Sequence, residues 1–497
     1  MIDSPDVTQF AVSRQFETRL FIDGEFKASS DGSTFDTVNP ATGEVLAYVS
    51  HASLDDVNHA VACARRAFEH GPWRRMSPKE RKRVLLSFAE LIERHSTELA
   101  VLESLDNGKP VRDALANDLP GTVELLRWAA EATDKIYDQV TPTSGDIVSM
   151  VIREPIGVVA AVIPWNFPLE IMAVKVGPAL AAGNSLIIKP AEQTSLSLLR
   201  VASLANEAGL PPGVLNILPG FGETTGQYLG RHQDVDCLSF TGSTEVGRFF
   251  LKYAAESNLK RVFLELGGKS PVIVMDDVTD FEAVAEQVAN GVLYSQGQVC
   301  SSGSRLLVHK AVKGRMLSAI ERVFRRWTVG DPLAPSTRMG AMISEGHMKR
   351  VLSYVELGKK EGATLFMGGA QVLAETGGSF LEPTVFADVR NSMRIAREEI
   401  FGPVLSVIDF ETVEEAIEIA NDTNYGLASS LYTNDLNIAH KVSRAIRAGT
   451  VSVNCFSEGD QAVPFGGFKQ SGFGGREKSL AAHDIYTQPK AIWMQLR

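Results

Sequence analysis

Hydrophobic and polar positions change period along the chain, and each change predicts a different kind of element. Over residues 18–50, in RLFIDGEF and STFDTVNPATGEVLAYVS, short alternating segments predict small strands joined by turns at Asp23-Gly24 and Asn39-Pro40. From 54 to 135 the period becomes helical. SLDDVNHAVACARRAFEH opens on Ser53 as a cap with acidic residues behind it, and SPKERKRVLLSFAELIERH sets Ser77 and Glu80 at capping-box spacing. Residues 156–268 interleave strand-like GVVAAVIP, NSLIIKP, GVLNILP, CLSFTG and RVFLELG with helical PLEIMAVKVGPALAAG, SLSLLRVASLANEAG, TGQYLGRH and TEVGRFFLKYAAES. Strands separated by helices of this length predict a parallel sheet with right-handed crossovers and ligands at its strand ends.

A second α/β block covers about 270–460, with strands SPVIVMD, SRLLVH, FGPVLSVIDF, ASSLYT and GTVSVNC and helices such as FEAVAEQVANGVLYSQ and TVEEAIEIANDT. Residues 320–380 read as loops, one helix and short strands. YDQVTPTSGDIVSMVIREP predicts a strand pair and IYTQPKAIWMQLR one more strand. Both would leave open edges in a monomer, so pairing across subunits is expected.

The chain has 497 residues, enough for two or three domains, and 44 % of them are hydrophobic, ample for large cores. A net charge of -11 disfavours a nucleic-acid partner. Cys63, Cys237, Cys300 and Cys455 lie far apart without CxxC or CxxH spacing, and the histidines form no HExxH. Neither a disulfide scaffold nor a metal site is expected. The N-terminus lacks the basic start and apolar block of a signal peptide, and no apolar run reaches the roughly 18 residues of a membrane span. A soluble, cytoplasmic protein without a membrane partner is the expectation.

Some residues could carry chemistry. Cys300, in NGVLYSQGQVCSSGSRLLV, falls on a Gly- and Ser-flanked turn between a helix ending near Gln296-Gly297 and a strand beginning near Arg305. A thiol in such a turn is either an activated nucleophile or an inert buried cysteine. Cys63 and Cys237 read as packing residues, and a role for Cys455 near a site stays open. Glu265 in VFLELGGKSP is a carboxylate among apolar groups, an environment that raises its pKa toward general-base range. Gly267-Gly268 behind it leave room for a close approach. Asn166 in VIPWNFP either caps a turn or offers its amide to an oxyanion, a donor worth about 3 kcal/mol in acyl transfer.

Phosphate-binding signals are diffuse. Gly220, Gly222 and Gly226 only approximate a GxGxxG. FTGSTEVG fits better, with a strand, Gly242, Ser243 and then a helix whose N-terminus would receive a phosphate. Lys189 and Glu192 in KPAE could hold ribose hydroxyls, and Glu399 is another acidic group at a loop-to-strand junction. The absence of a GKS/T loop argues against an ATPase.

Together these segments resemble the aldehyde dehydrogenase superfamily. Its motifs occur in family order: PWNFP at 164–168, KPAEQTS at 189–195, PGFG at 219–222, FTGSTEVG at 240–247, LELGGKSP at 264–271, GQVCSSGSR at 297–305, EEIFGPV at 398–404 and PFGGFKQSG at 464–472. The resemblance implies an α/β fold with three parts. These are a Rossmann-type NAD-binding domain (1–134 and 156–266), an α/β catalytic domain (267–463) and a small β bridging domain of oligomerisation strands (135–155 and 480–497), assembled as dimers or tetramers. It implies Cys300 as nucleophile, Glu265 as general base for deacylation, and Asn166 with the Cys300 backbone N–H as oxyanion hole. Lys175 matches a lysine in proton relay with the base. Lys189 and Glu192 would contact the adenosine ribose and Ser243 the pyrophosphate. Trp165, Gly222, Gly242 and Leu266 would line the cofactor cleft, and Glu399 and Phe401 would meet the nicotinamide ribose.

The implied reaction is oxidation of a small-molecule aldehyde to a carboxylic acid through a cysteine thiohemiacetal and thioester. Glu192 disfavours a 2′-phosphate, so NAD is expected over NADP. Glu458 and Asp460 in NCFSEGDQAVPFGG, with Gly459 and Val174 where relatives carry bulky aromatics, suggest a wide, negative tunnel mouth suited to a long or amine-bearing aldehyde. They also read as an ordinary solvated loop. The pattern is similar to bacterial gamma-glutamyl-gamma-aminobutyraldehyde dehydrogenases of putrescine breakdown, from whose usual form Val174 and Glu170 depart. GFGGREKS at 472–479 carries a further glycine relative to relatives, which leaves Arg476 and Glu477 unassigned. Rival readings are a CoA-acylating enzyme, against which Glu265 argues, a broad oxidiser of small aliphatic or aromatic aldehydes, and a retired binding protein of the same fold.

Overall fold

The computed structural model describes residues 16–497. The first part of the stretch read as lacking a leader, residues 1–15, lies outside the described residues. Strands Val158–Val162, Ser185–Lys189, Leu215–Ile217, Cys237–Thr241 and Arg261–Glu265 form the parallel centre of an eight-stranded sheet. Val158–Val162, Ser185–Lys189 and Cys237–Thr241 are buried at every position, which their unbroken apolar runs require of strands covered on both faces. In chain order the lateral sequence is third, second, first, fourth, fifth. The direction of the connections therefore reverses between Val158–Val162 and Cys237–Thr241, and the loops leaving these strands diverge to open a crevice. PWNFP leaves one strand and TGS the other.

The two anticipated helix starts form as reciprocal caps. Ser53 and Asp56 close Leu54–His70, and Ser77 and Glu80 close Pro78–Arg94. TGQYLGRH is less regular than expected: a π turn, Gly222–Gly226, runs into helix Gln227–Arg231.

The second sheet has seven strands, with Arg305–His309 and Pro271–Val274 near its middle and only Thr364–Met367 antiparallel. Strand Gly472–Phe473, beyond the expected end of the second block, does not join it. It pairs antiparallel with Leu264 and Glu265 at the edge of the first sheet. Two residues without alternation give no periodic signal. A third sheet joins Gln139–Thr141, Ile147–Pro155 and Thr487–Gln495, so the C-terminal strand pairs with the earlier strand pair. Both outer strands keep an open edge, and Val140 and Trp493 stand exposed. Among the described residues no helix is long and apolar enough to cross a membrane.

Candidate active site

The helix expected to reach Gln296-Gly297 stops at Leu293. Ser295 (φ 48°), Gln296 (φ 59°) and Gly297 (φ 71°) follow in left-handed conformation and turn the chain toward Cys300. Such non-glycine residues cost about 1–3 kcal/mol each unless their surroundings hold them. Here buried amides do so. Gln296 Nε2 donates to Ala341 O at 2.8 Å, and Gln298 Oε1 accepts from Ile343 N at 3.0 Å. Downstream, buried Arg305 donates to the carbonyls of Ile419 and Ala420, both at 2.8 Å. The cysteine turn is thus anchored at both ends.

Gly267 and Gly268 explain how other groups reach this turn. A Cβ on Gly268 would stand 2.5 Å from the Cys300 carbonyl oxygen, and one on Gly267 would stand 2.0 Å from Glu399 Oε2. The room left by the paired glycines is filled by the cysteine's own backbone on one side and a carboxylate on the other. Gly268 N–H also donates to Glu399 Oε1 at 3.0 Å. Burial raises Glu399 to about 7, against that hydrogen bond.

Asn166 is buried, and its Nδ2 donates to the Gln298 carbonyl at 2.8 Å, tying PWNFP to the cysteine turn. An amide nitrogen carries two donors, so one remains for an oxyanion. Cys300 is partly buried. Burial pushes its thiol well above the usual range, and Glu458, Glu399 and Glu265 add to this.

Glu265 ends its strand as expected. Burial raises it well above the ordinary carboxylate range, Glu477 raises it further, and Lys175 and Arg476 pull it down. A Cβ on Gly466 would lie 2.5 Å from Glu265 Oε1, so this glycine admits the carboxylate. Lys175 is fully buried in helix Pro168–Ala182 and donates to Glu477 Oε1 at 2.6 Å and Ser239 Oγ at 3.1 Å. Glu265, Lys175 and Glu477 form one charge-coupled group.

A cavity of about 200 Å³ opens at the crevice. Asn166, Cys300, Gly242, Ser243, Leu266 and Glu399 line it, together with Trp165 and Phe401, whose rings meet edge-on at 5.2 Å. Ser243 caps helix Thr244–Ala255 by accepting from Val246 N–H at 3.2 Å. Lys189 and Glu192 pair at 3.2 Å further along the first sheet. Burial lowers Lys189 and Glu192 raises it.

Glu265, Lys175, Lys189, Glu192 and Glu458 are not part of this lining, and three more expected residues also lie apart from it. Gly222 is exposed with open space about its Cα, so no contact there requires glycine. Val174 packs into the core of the first block. Asp460 is exposed and shapes its own turn, accepting from Ala462 N–H at 3.2 Å. Glu458 is placed differently from Asp460: it accepts a hydrogen bond from the Ser301 hydroxyl, next to Cys300. Cys63 and Cys237 are buried as expected, and Cys455 is exposed.

Several contributors gave no sequence signal of their own. Asn107, fully buried, donates to the Trp165 carbonyl at 2.5 Å and fixes the PWNFP turn. His347 donates from Nε2 to the Phe401 carbonyl at 2.7 Å and holds that residue at φ 60°. A carbonyl only accepts, so Nε2 carries the proton. Arg350, one helical turn on, lines the same cavity.

The crevice lies at a strand-order reversal, with a helix N-terminus beside it and the cysteine turn facing both. The model of the aldehyde dehydrogenase family matches residues 26–492. The chain belongs to the aldehyde dehydrogenase family. It is 53 % identical over 494 residues to the aminoacetaldehyde dehydrogenase of Pseudomonas aeruginosa, covering 99 % of each chain. It is 47 % identical over 486 residues to the NADP/NAD-dependent aldehyde dehydrogenase PuuC of Escherichia coli, covering 98 % of this chain and 97 % of that one. Among solved structures, a P. syringae indole-3-acetaldehyde dehydrogenase mutant in complex with NAD+ and IAA superposes at TM-score 0.98, with 50 % identity and complete coverage of both chains. A gamma-glutamyl-gamma-aminobutyraldehyde dehydrogenase from Burkholderia cenocepacia superposes at 0.97, with 51 % identity, 99 % of this chain and 100 % of that one. The likeness to the gamma-glutamyl-gamma-aminobutyraldehyde enzymes that the motifs suggested is thus met at the level of whole chains.

Proposed function

We propose that this aldehyde dehydrogenase oxidises an aldehyde to a carboxylic acid through a thioester on Cys300, with NAD preferred over NADP. The observation that carries this reading is the cysteine turn itself, wedged against Gly268 and tied to Asn166 beside the crevice. The crevice fits a dinucleotide. A Cβ on Gly242 would lie 2.4 Å from the Phe240 ring, leaving the strand end bare of side chain before the N-terminus of helix Thr244–Ala255. Trp165, Gly242, Ser243, Leu266, Glu399 and Phe401 would hold the nicotinamide and pyrophosphate, and Lys189 with Glu192 the adenosine ribose. Bound NAD supplies the two-electron oxidant.

The chain's own groups do the rest. Cys300 Sγ adds to the aldehyde carbon, and the free Asn166 N–H receives the negative oxygen. Glu265, whose affinity for a proton burial raises above that of an ordinary carboxylate, takes a proton from the water that hydrolyses the thioester. Lys175 and Glu477 set the charge around that base and can pass its proton on.

For the substrate we favour a long or amine-bearing aliphatic aldehyde such as gamma-glutamyl-gamma-aminobutyraldehyde. Glu170, near the start of the helix after PWNFP, is raised to about 8 by burial, with Asp118 and Glu458 adding to it. A cationic substrate group there would favour the ionised form of Glu170 and pair with it. A second reading is a small aliphatic or aromatic aldehyde, which stacking of Phe167 on Tyr294, centroids 6.1 Å apart, would suit. Named dehydrogenases at such identity leave the retired binding protein without support. The enzyme is expected to act as a cytoplasmic dimer or tetramer through the open edges of the three-stranded sheet.

NADH production across aminoaldehydes, betaine aldehyde, propanal and benzaldehyde tests the substrate. Higher kcat/KM for the cationic members supports the first reading, and higher values for benzaldehyde refute it. Cys300→Ser with normal activity would refute the covalent route.

A further inference from the structure

Glu458 sits on the Cys300 side of its loop, away from the exposed Asp460. One carboxylate oxygen accepts from the Ser301 hydroxyl, and the other lies 4.0 Å from Lys478 Nζ. Ser301 is fully buried and immediately follows the cysteine. Its backbone N–H faces the sulfur and favours the thiolate, while its side chain is held by Glu458. A single residue therefore connects the thiol to a carboxylate on a distant loop, 157 residues away in sequence.

We propose that Glu458, through its grip on the Ser301 hydroxyl, is a positioning residue that sets the reactivity of the Cys300 thiol. This rests on Cys300 as nucleophile and not on which aldehyde is used. Two effects oppose each other. The hydroxyl contact fixes the Ser301 N–H that stabilises the thiolate. The negative charge destabilises the thiolate, and Glu458 is the largest charged contributor to the upward shift of the thiol, ahead of Glu399 and Glu265. Around Glu458 itself stand Lys478, whose ammonium lies 5.3 Å from the Phe465 ring centroid, and Glu170 on the helix after PWNFP. The result is a balance: the grip on Ser301 holds the N–H that favours the thiolate while the charge of Glu458 opposes it, and positive charge beside Glu458 tips the balance toward the thiolate.

The two effects separate by mutation. Glu458→Gln keeps an acceptor for Ser301 and removes the charge. Ser301→Ala keeps the charge and removes the grip. The measurement is the pH dependence of iodoacetamide alkylation of the full-length enzyme, read by mass spectrometry on the peptide containing Cys300. Glu458→Gln should lower the alkylation midpoint by about one pH unit, a roughly tenfold faster reaction below it. Ser301→Ala should raise the midpoint, because the N–H that favours the thiolate is no longer held, and an unchanged midpoint overturns the positioning role. A Glu458→Gln midpoint within about 0.3 unit of wild type overturns the proposal. So does a fall in Ser301→Ala matching that of Glu458→Gln, since a loosened turn would then explain both. If Glu458→Gln does not fold, Lys478→Met provides the reverse test. It leaves Glu458 uncompensated and should raise the midpoint, and no rise overturns the proposal. Alkylation needs no aldehyde, so its outcome is independent of the substrate panel and of Cys300→Ser.

Discussion

Replacing Gly268 with alanine isolates the packing of the nucleophile from its chemistry. Gly268 is not in the left-handed region, so the added methyl brings no backbone strain. It would meet the Cys300 carbonyl oxygen at 2.5 Å, where ordinary contact begins at 3.4 Å, so one side must yield by about 0.9 Å. The obstacle is backbone, and that backbone is anchored by Gln298 on one side and Arg305 on the other. The displacement therefore falls on the cysteine. Misplacing a reacting atom by about 1 Å costs on the order of 100-fold in rate. Gly268→Ala should lower kcat with propanal and NAD by about that factor, with its melting temperature reduced by only a few degrees. Gly267→Ala should act elsewhere. Its methyl would strike Glu399 Oε2, a side-chain end that can swing away from Gly268 N–H. NAD affinity, measured by fluorescence titration, should fall about tenfold with a smaller loss in kcat. If Gly268→Ala keeps kcat within about twofold of wild type, the turn is not fixed in the way described and the reasoning fails.

Other expectations follow from single groups. Glu265→Gln should show a burst of NADH followed by slow turnover in stopped-flow, because acylation survives and hydrolysis does not. In the wild type the acid limb of deacylation should fall nearer neutrality than an ordinary carboxylate allows, since burial raises Glu265. Glu192→Gln should increase kcat/KM with NADP relative to NAD; an unchanged ratio would remove Glu192 from cofactor choice. His483 is buried, with Nε2 unpartnered, and burial lowers it to about 4 from an unfolded value near 6.5. The unfolded chain binds the proton more readily, so stability is lost as pH falls from about 6.5 through 4, by an order of 3 kcal/mol. His483→Asn should flatten that part of the melting temperature against pH, and an unaltered slope would assign the acid loss elsewhere.

Apolar strands that are buried on both faces, such as Val158–Val162, declare themselves in sequence because nothing polar can interrupt them. Caps declare themselves because their spacing is local. Cys300, Glu265 and Asn166 stand out through their motifs, and the structure brings Cys300 and Asn166 onto one cavity with Glu265 at the adjoining strand end. What stayed hidden depends on distant partners. A further glycine blurs the register of Glu477 in sequence, yet the residue reaches Lys175 across 302 residues. Asn107 and His347 lie on helices whose pattern reports burial and gives no hint of the PWNFP turn or the Phe401 carbonyl they hold. Glu458 and Asp460 looked equivalent because a loop sequence does not tell which carboxylate turns inward.

The Gly472–Phe473 strand and the residues after it also order events in time. Translation delivers Cys300, Glu265 and Asn166 well before Glu477 and strand Thr487–Gln495. Until residues 472–477 emerge, the Lys175 ammonium lacks its carboxylate and the first sheet keeps a bare edge beside Glu265. A nascent chain stalled near residue 460 would hold a complete nucleophile turn and an unfinished base, with a strand edge free to pair wrongly. The charged group around Glu265 is therefore completed late, and removing residues 472–497 should cost far more than its length suggests, because Gly472–Phe473 and Glu477 leave together with the last strand.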